Sequence, residues 1–348
     1  IQALIDQAKV LTLTSRAFDN NKLGEYEKYI TDYFGYDMVL PMNSGAEAVE
    51  TAMKLARKWA YDVKGVTPDE AILIFAENNF HGRTISIITA SSDPDCFEGF
   101  GPFTPGITRV PYDDADALKE YLEKNGKNVA AFIVEPIQGE AGVVVPKDGY
   151  LKECYNLCKE HNVLFIADEI QSGLARTGKL LACDYDNVRP DVLILGKALS
   201  GGVLPVSAVL ADKDIMLLIK PGQHGSTYGG FPLACAVAVA SLQVIKEEKL
   251  ADRAAELGEY FRLELGKIKH PMLKLIRGKG LLNAIVIEPK NGFEAWDVCL
   301  RLKEKGLLCK PTHRHIIRLA PPLIITKEQL DECVQIIKTV FDELESEI

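Results

Sequence analysis

The middle of the chain repeats one pattern: a short run of apolar residues with no polar break, then a longer stretch of mixed character. The apolar runs lie at Ala71–Phe75, Val129–Val134, Val163–Ala167, Val192–Leu195 and Pro205–Leu210. Runs of this kind belong to strands buried on both faces, as in the centre of a parallel sheet. Between them, Ala46–Tyr61, Ala115–Lys124 and Tyr150–His161 carry apolar residues at every third or fourth position, the helical period. Alternation of strands and helices predicts an α/β fold with a parallel or mostly parallel sheet. In such folds ligands gather at the carboxyl ends of the strands. Glu135, Asp168 and Lys197 all fall at such ends.

The pattern changes near Leu233. One long helical stretch, Leu233–Ala255, leads into a smaller unit with an apolar run at Gly280–Ile287, a helix at Ala295–Lys305, a strand near Ile316–Leu319 and a last helix from Lys327. This reads as an α+β unit. The expected division is an N-terminal segment, 1–40, packing with the small domain, a large domain over 41–240, and a C-terminal small domain over 241–348. No internal repeat or low-complexity tract interrupts it.

Composition narrows the function. The 348 residues are 47% apolar and 26% charged, ordinary for a globular chain with a large core. The net charge of −9 argues against general binding to nucleic acid. No apolar run is long enough to span a bilayer, and no secretory or transit segment is visible, so the expected compartment is the cytoplasm or mitochondrial matrix rather than the exterior. The eight cysteines are scattered and read as reduced thiols, with Cys154 and Cys158 one helical turn apart. The six histidines include no metal-binding spacing, so no metal is expected.

Three short motifs carry candidate chemistry. Asn43-Ser44-Gly45-Ala46 opens an Ala-rich helix, and its N-terminal N–H groups suit an anion; Ser44 also reads as a plain N-cap. Asp168 follows a buried run, where a carboxylate is costly without a partner. A pyridinium N–H would be one such partner, and capping of the next element is the other reading. Lys197, after Val192–Leu195 and close to Gly201-Gly202, would be a nucleophilic amine if drawn out of water, or a lysine reaching to solvent. No Gly-x-Gly-x-x-Gly turn or Gly-Lys-Ser/Thr phosphate loop appears in a suitable context, which disfavours a nucleotide-binding α/β enzyme. The presence of both Lys197 and Asp168 disfavours a non-catalytic scaffold.

The order of these motifs, together with Glu135-Pro-Ile-Gln-Gly-Glu140-Ala-Gly, the segment from Leu164 to Gly178, Leu195-Gly-Lys197-Ala-Leu-Ser-Gly-Gly202 and His224-Gly-Ser226-Thr227-Tyr-Gly-Gly230, resembles the class III (ω-amino-acid) pyridoxal-phosphate aminotransferases. The resemblance covers nearly the whole chain. It implies a large cofactor-binding domain with a mostly parallel seven-stranded central sheet flanked by helices, plus a smaller α+β domain. It implies pyridoxal 5'-phosphate as cofactor, carried by Lys197 as a Schiff base, with the same lysine moving the proton between substrate and cofactor. Asp168 would pair with the ring nitrogen and Gln171 with the ring hydroxyl. Phe80 would stack on one ring face and Ile170 on the other, unless Ile170 is ordinary core. Ser44, Gly45 and Ala46 would hold the phosphate. Ser226 and Thr227 would reach the phosphate of a neighbouring copy, making the enzyme a homodimer with its active site at the subunit interface; a local Ser/Thr turn is the other reading.

Arg83 and Arg318 resemble the family's carboxylate-binding arginines, with Glu140 neutralising Arg318 until an extra carboxylate arrives; otherwise Glu140 and Arg318 form a structural ion pair. The implied reaction is ping-pong. L-Ornithine gives up its δ-amino group and leaves as L-glutamate 5-semialdehyde, and 2-oxoglutarate takes the amino group and leaves as L-glutamate. The alternative is another ω-amino donor on the same scaffold: acetylornithine, 4-aminobutyrate or lysine. Two positions depart from the family pattern. His81 stands where a bulkier aromatic is expected, and Phe231 where Asn is common; both bear on pocket shape.

Overall fold

The computed structural model describes residues 1–345 and 347. The chain divides into two compact units. The first comprises Ile1–Pro136, Pro146–Gln171 and Cys183–Lys246; the second comprises Ile137–Val145, Ser172–Ala182 and Glu247–Ile348.

The first unit holds a seven-stranded sheet of β1 (Met38–Met42), β2 (Ile72–Ala76), β3 (Ile107–Val110), β4 (Val129–Val134), β5 (Leu164–Asp168), β6 (Val192–Leu195) and β7 (Ser207–Ala211). Their spatial order is β1-β7-β6-β5-β4-β2-β3. The pairs from β6 through β3 are all parallel. Because successive residues of a strand face opposite ways, the apolar runs feed two cores at once. Leu73, Phe75, Ile166 and Ile194 pack with Val49, Ala52 and Ala56 of the helix Gly45–Trp59. Ile74, Phe132 and Phe165 pack on the other face with Leu118, Leu122, Leu151 and Cys154, from the helices Ala115–Asn125 and Tyr150–Glu160. The unbroken apolar runs exist for this reason: each strand has no wet face.

Three expectations need correction here. The run at Pro205–Leu210 is not a parallel strand; β7 pairs antiparallel with both β6 and β1. A parallel return needs a crossover of a dozen or more residues, usually a helix. The stretch between Leu195 and Ser207 holds a single 3-10 turn, Lys197–Ser200, so the chain can only double back. Next, the stretch Leu233–Ala255 is two helices, Pro232–Glu247 and Leu250–Leu265, broken where Lys249 takes a left-handed φ of 50°. No Gly or Pro marks that break, so periodicity runs through it. Finally, residues 1–40 group with the first unit rather than the small one. The helix Leu23–Phe34 buries Tyr26 and Ile30, the Tyr36 hydroxyl donates to the Pro190 carbonyl at 2.8 Å, and Arg16 donates to the Gly229 carbonyl.

The second unit is built on an antiparallel sheet ordered β10-β11-β9-β8, from β8 (Leu273–Lys279), β9 (Leu282–Ile287), β10 (Lys310–Thr312) and β11 (Ile316–Leu319). Ile285, Ile287, Ile317 and Leu319 pack with Val298 and Leu302 of the helix Ala295–Glu304 and with Ile337, Val340 and Phe341 of the helix Lys327–Glu345. No helix among the described residues is long and apolar enough to cross a membrane.

Candidate active site

The carboxyl ends of β2, β4, β5 and β6 lie side by side, and the residues just beyond them line one cavity of about 240 Å³. β4 delivers Glu135, β5 ends on Asp168 and is followed by Ile170 and Gln171, and β6 delivers Gly196 and then Lys197. The loop after β2 brings Phe80, His81 and Gly82. Gly45 and Ala46, at the start of the helix Gly45–Trp59, complete the wall.

Each part has a local cause. Ser44 caps the helix: its hydroxyl accepts from the Glu47 N–H at 3.2 Å, while the Glu47 carboxylate accepts from the Ser44 N–H at 2.6 Å. This reciprocal capping leaves the Gly45 and Ala46 N–H groups without an intrahelical partner at the positive end of the helix dipole, on residues that line the cavity. The two readings of Ser44 are therefore compatible. The Ser207 hydroxyl, at the start of β7, donates to the Ser44 carbonyl at 2.7 Å and fixes the turn to the sheet. Two close approaches shape the wall. A Cβ on Gly45 would come within 3.0 Å of Ile170 Cδ1. Gly82, at φ 135°, lies so near Ala46 that a Cβ there would come within 2.9 Å of the Ala46 Cβ.

Asp168 is 3% exposed. Its Oδ1 accepts the Ile170 N–H at 3.0 Å, and its Oδ2 lies 2.6 Å from Nδ1 of His81, itself 3% exposed. Burial pulls the His81 pKa down, but the hydrogen bond and charge of Asp168, with the charge of Glu135, carry it above its ordinary value. The other ring nitrogen, Nε2, is buried without a hydrogen-bond partner. Glu135 accepts the Phe80 N–H at 2.9 Å and so sets the aromatic ring at the cavity wall. The Arg83 guanidinium sits 5.9 Å from the Phe80 ring centroid, and its side chain is exposed.

Lys197 shares the cavity with Asp168, but its side chain is exposed in the single chain rather than drawn out of water. Its backbone is also unusual: a φ of 40°, rare for a residue with a Cβ, opens the short 3-10 turn that follows β6. Ser226 and Thr227 do not line this cavity. They border a separate one of about 960 Å³ with Thr14, Arg16 and His224. Within one chain Ser226 accepts from the Asn43 side chain at 2.8 Å and from the Gly229 N–H at 3.1 Å, which is the local Ser/Thr turn.

The remaining candidates lie in the second unit. Arg318, on β11, bonds Glu140 Oε1 at 2.7 Å. Lys310, on β10, bonds the other oxygen, Oε2, also at 2.7 Å. Burial would raise the Glu140 pKa, but hydrogen bonds from Lys310 and Arg318 hold it down at about 2. Sequence reasoning missed three members of these sites. In the sequence His81 stands out only for its bulk, Glu135 marks a strand end without a role, and Lys310 belongs to no motif. The pairing of Lys310 with Arg318 is a matter of strand register. Glu135, by contrast, repeats the signal of Asp168, an acid directly after an all-apolar strand.

The residues fit pyridoxal phosphate: a buried acid for the ring nitrogen, an aromatic wall, a helix N-terminus for a phosphate, and a lysine at the mouth. Such a sheet with such a cavity is that of a pyridoxal-phosphate enzyme. The class-III aminotransferase family model matches residues 1–341, and the chain belongs to that family, whose members depend on this cofactor. It is 60% identical over 338 residues to the mitochondrial ornithine aminotransferase of Drosophila melanogaster, covering 97% of this chain and 78% of that protein. A crystal structure of the ornithine aminotransferase from Toxoplasma gondii, described with pyridoxal phosphate at partial occupancy, superposes with a TM-score of 0.96 at 53% identity over 99% of this chain and 82% of that one. A structure of an acetylornithine aminotransferase from Elizabethkingia anophelis superposes at 0.90 with 62% identity, over 98% and 84% of the two chains.

Proposed function

We propose that this enzyme transfers the δ-amino group of L-ornithine to 2-oxoglutarate, giving L-glutamate 5-semialdehyde and L-glutamate in two half-reactions on one site. The observation that carries the reading is the Glu140–Arg318 ion pair at 2.7 Å, in a chain 60% identical to a named ornithine aminotransferase. A site that serves both ornithine and 2-oxoglutarate must hide one cationic carboxylate reader from the first and offer it to the second. An arginine covered by an internal carboxylate does this.

Pyridoxal phosphate, when bound, supplies an aldehyde for the donor amine and a ring that withdraws electrons from the amine-bearing carbon. Asp168, held by His81 and the Ile170 N–H, keeps its carboxylate aimed at the ring nitrogen and its charge sustains a proton there. Phe80 and Ile170 enclose the ring faces, and Gln171 reaches the ring hydroxyl. Ser44, Gly45 and Ala46 hold the phosphate at the helix N-terminus. Lys197 Nζ would hold the aldehyde carbon until a substrate amine displaces it, and its freed amine would then carry the proton from the donor's carbon to the cofactor, and in the opposite direction in the second half-reaction. Arg83 and Arg318 orient substrate carboxylates. Ser226 and Thr227 reach the phosphate of a second copy, so the working unit is a homodimer. The enzyme acts in the cytoplasm or the mitochondrial matrix.

A second reading has a specific observation behind it: the 62% identity to an acetylornithine aminotransferase. The test is a donor panel on purified holoenzyme with 2-oxoglutarate: L-ornithine, N-acetylornithine, 4-aminobutyrate and L-lysine, scored for semialdehyde product. L-Ornithine is expected to give the highest kcat/KM. A higher value with N-acetylornithine replaces the first reading with the second.

A further inference from the structure

The Glu140 carboxylate has two cations, one on each oxygen, and they differ in kind. Arg318 is 11% exposed and carries a rigid planar fork; Lys310 is 63% exposed on a flexible stem. The two stand opposite one another in the antiparallel register of β10 and β11, so their side chains leave the same face of the sheet as neighbours.

The loop that carries Glu140 is pinned close by. Gln138 and Val144 form a two-residue antiparallel bridge. The Arg277 side chain donates twice to the Gly142 carbonyl, at 3.0 and 2.8 Å. Gly142 is seated so tightly on β11 that a Cβ there would come within 2.3 Å of Ile316 Cδ1. With the backbone held on both sides, Glu140 can leave Arg318 only by turning its side chain. A half-buried carboxylate that gives up its arginine must find another partner or lose much of its stabilisation. Lys310 is already bonded to it and can follow it outward, because most of the lysine side chain lies in solvent.

We propose that Lys310 is a specificity-determining residue: it keeps the Glu140 carboxylate compensated while Arg318 is given over to a substrate carboxylate, and so sets how readily the enzyme accepts its dicarboxylic partner. The inference rests on the ornithine reading above for the identity of the two substrates. Lys310 touches neither the substrate nor the cofactor in this role. It acts through Glu140, and it favours the state in which Arg318 is open.

The test compares Lys310→Met, Lys310→Arg, Glu140→Ala and Glu140→Ala/Lys310→Met holoenzymes. The two half-reactions are followed separately by the absorbance of the cofactor. Lys310→Met is expected to raise the KM for 2-oxoglutarate and to slow the L-glutamate half-reaction about three- to fivefold, the size expected for an exposed ion pair, with the L-ornithine half-reaction within twofold of wild type. Lys310→Arg should restore the wild-type ratio. In the Glu140→Ala background the lysine substitution should change nothing. Equal effects on both half-reactions, or an effect that persists without Glu140, overturns the proposal.

A calorimetric titration of glutarate, a plain five-carbon dicarboxylate, against pentanoate reads the same gate without turnover. Lys310→Met should weaken glutarate selectively. If wild type ignores L-ornithine, the functional reading fails while the glutarate titration still decides the role of Lys310. Unchanged glutarate affinity in Lys310→Met sinks that role whatever the donor.

Discussion

His81 Nδ1 lies 2.6 Å from Asp168 Oδ2, and both side chains are buried in the floor of the cofactor cavity. The histidine thus does for Asp168 what a bulky aromatic could not: it donates to the carboxylate and holds one of its oxygens, while the Ile170 N–H holds the other. His81→Phe should therefore weaken pyridoxal-phosphate binding about tenfold, the loss expected for one charge-assisted hydrogen bond. Equilibrium dialysis of the cofactor would measure it, and His81→Gln should recover part of the loss. The pair also has a pH signature. The folded-state pKa of His81 is raised above the ordinary 6.5. Its contribution to stability is therefore fully present below 6.5 and is lost as pH rises through the raised value. The stability advantage of wild type over His81→Phe should shrink as pH climbs above 6.5. A constant difference in thermal melts across that range would show that His81 is not protonated against Asp168.

Much of the first unit is legible in the sequence, because both faces of its sheet are covered. β4 and β6 fall on the residues their apolar runs marked, and the acid and the lysine at the strand ends do share one cavity. The elements that escaped notice lie at edges. β3 flanks the large sheet, and β8 and β10 flank the small one, where strands are short or half wetted and lack an unbroken apolar run; β1, at the other edge of the large sheet, is apolar throughout but only half-buried over its first three residues. The direction of β7 depended on what the loop before it lacked, and Lys310 depended on register. Neither leaves a periodic trace. The exposure of Lys197 and its positive φ likewise leave no trace in the apolar pattern.

Lys197 and Asp168 meet in the same cavity although 29 positions apart in sequence, because β5 and β6 are parallel neighbours. Borohydride treatment of holoenzyme should fix the cofactor to one peptide, and that peptide should contain Lys197. Lys197→Ala should show no adduct and no turnover, while its cofactor affinity stays measurable through Asp168 and the helix N-terminus. A mass adduct on Lys179 or Lys213 instead would remove Lys197 from the chemistry.

Gly82 offers a test of the cavity wall that involves no reacting group. Its φ of 135° is open to glycine and costly for other residues, and a Cβ there would stand 2.9 Å from that of Ala46. Gly82→Ala should destabilise the protein by about 1 to 3 kcal/mol in urea denaturation. It should weaken cofactor binding at the same time, since Ala46 lies in the first turn of the helix proposed to hold the phosphate. Gly24, with nothing within 4 Å of a Cβ and a helical setting, is the control; Gly24→Ala should be neutral or slightly stabilising. Equal behaviour of the two variants would mean that the contact with Ala46 relaxes without cost.

The acid limb of stability should report the Glu140 clasp. In the folded chain the Glu140 pKa is held at about 2, against an ordinary 4.5, by Lys310 and Arg318 overcoming its burial. A depressed folded pKa means that the contribution is present above 4.5 and is lost as pH falls toward 2. Glu140→Gln leaves the two cations facing one another without a counter-charge and removes the titration. The difference in melting temperature between wild type and Glu140→Gln should hold steady above pH 4.5 and decline as pH falls below it. Lys310→Met should narrow the gap only partly, because Arg318 still holds one oxygen at 2.7 Å. A gap that stays level into acid would mean that the carboxylate is not charged against its partners, and the proposed gating by Glu140 would lose its electrostatic basis.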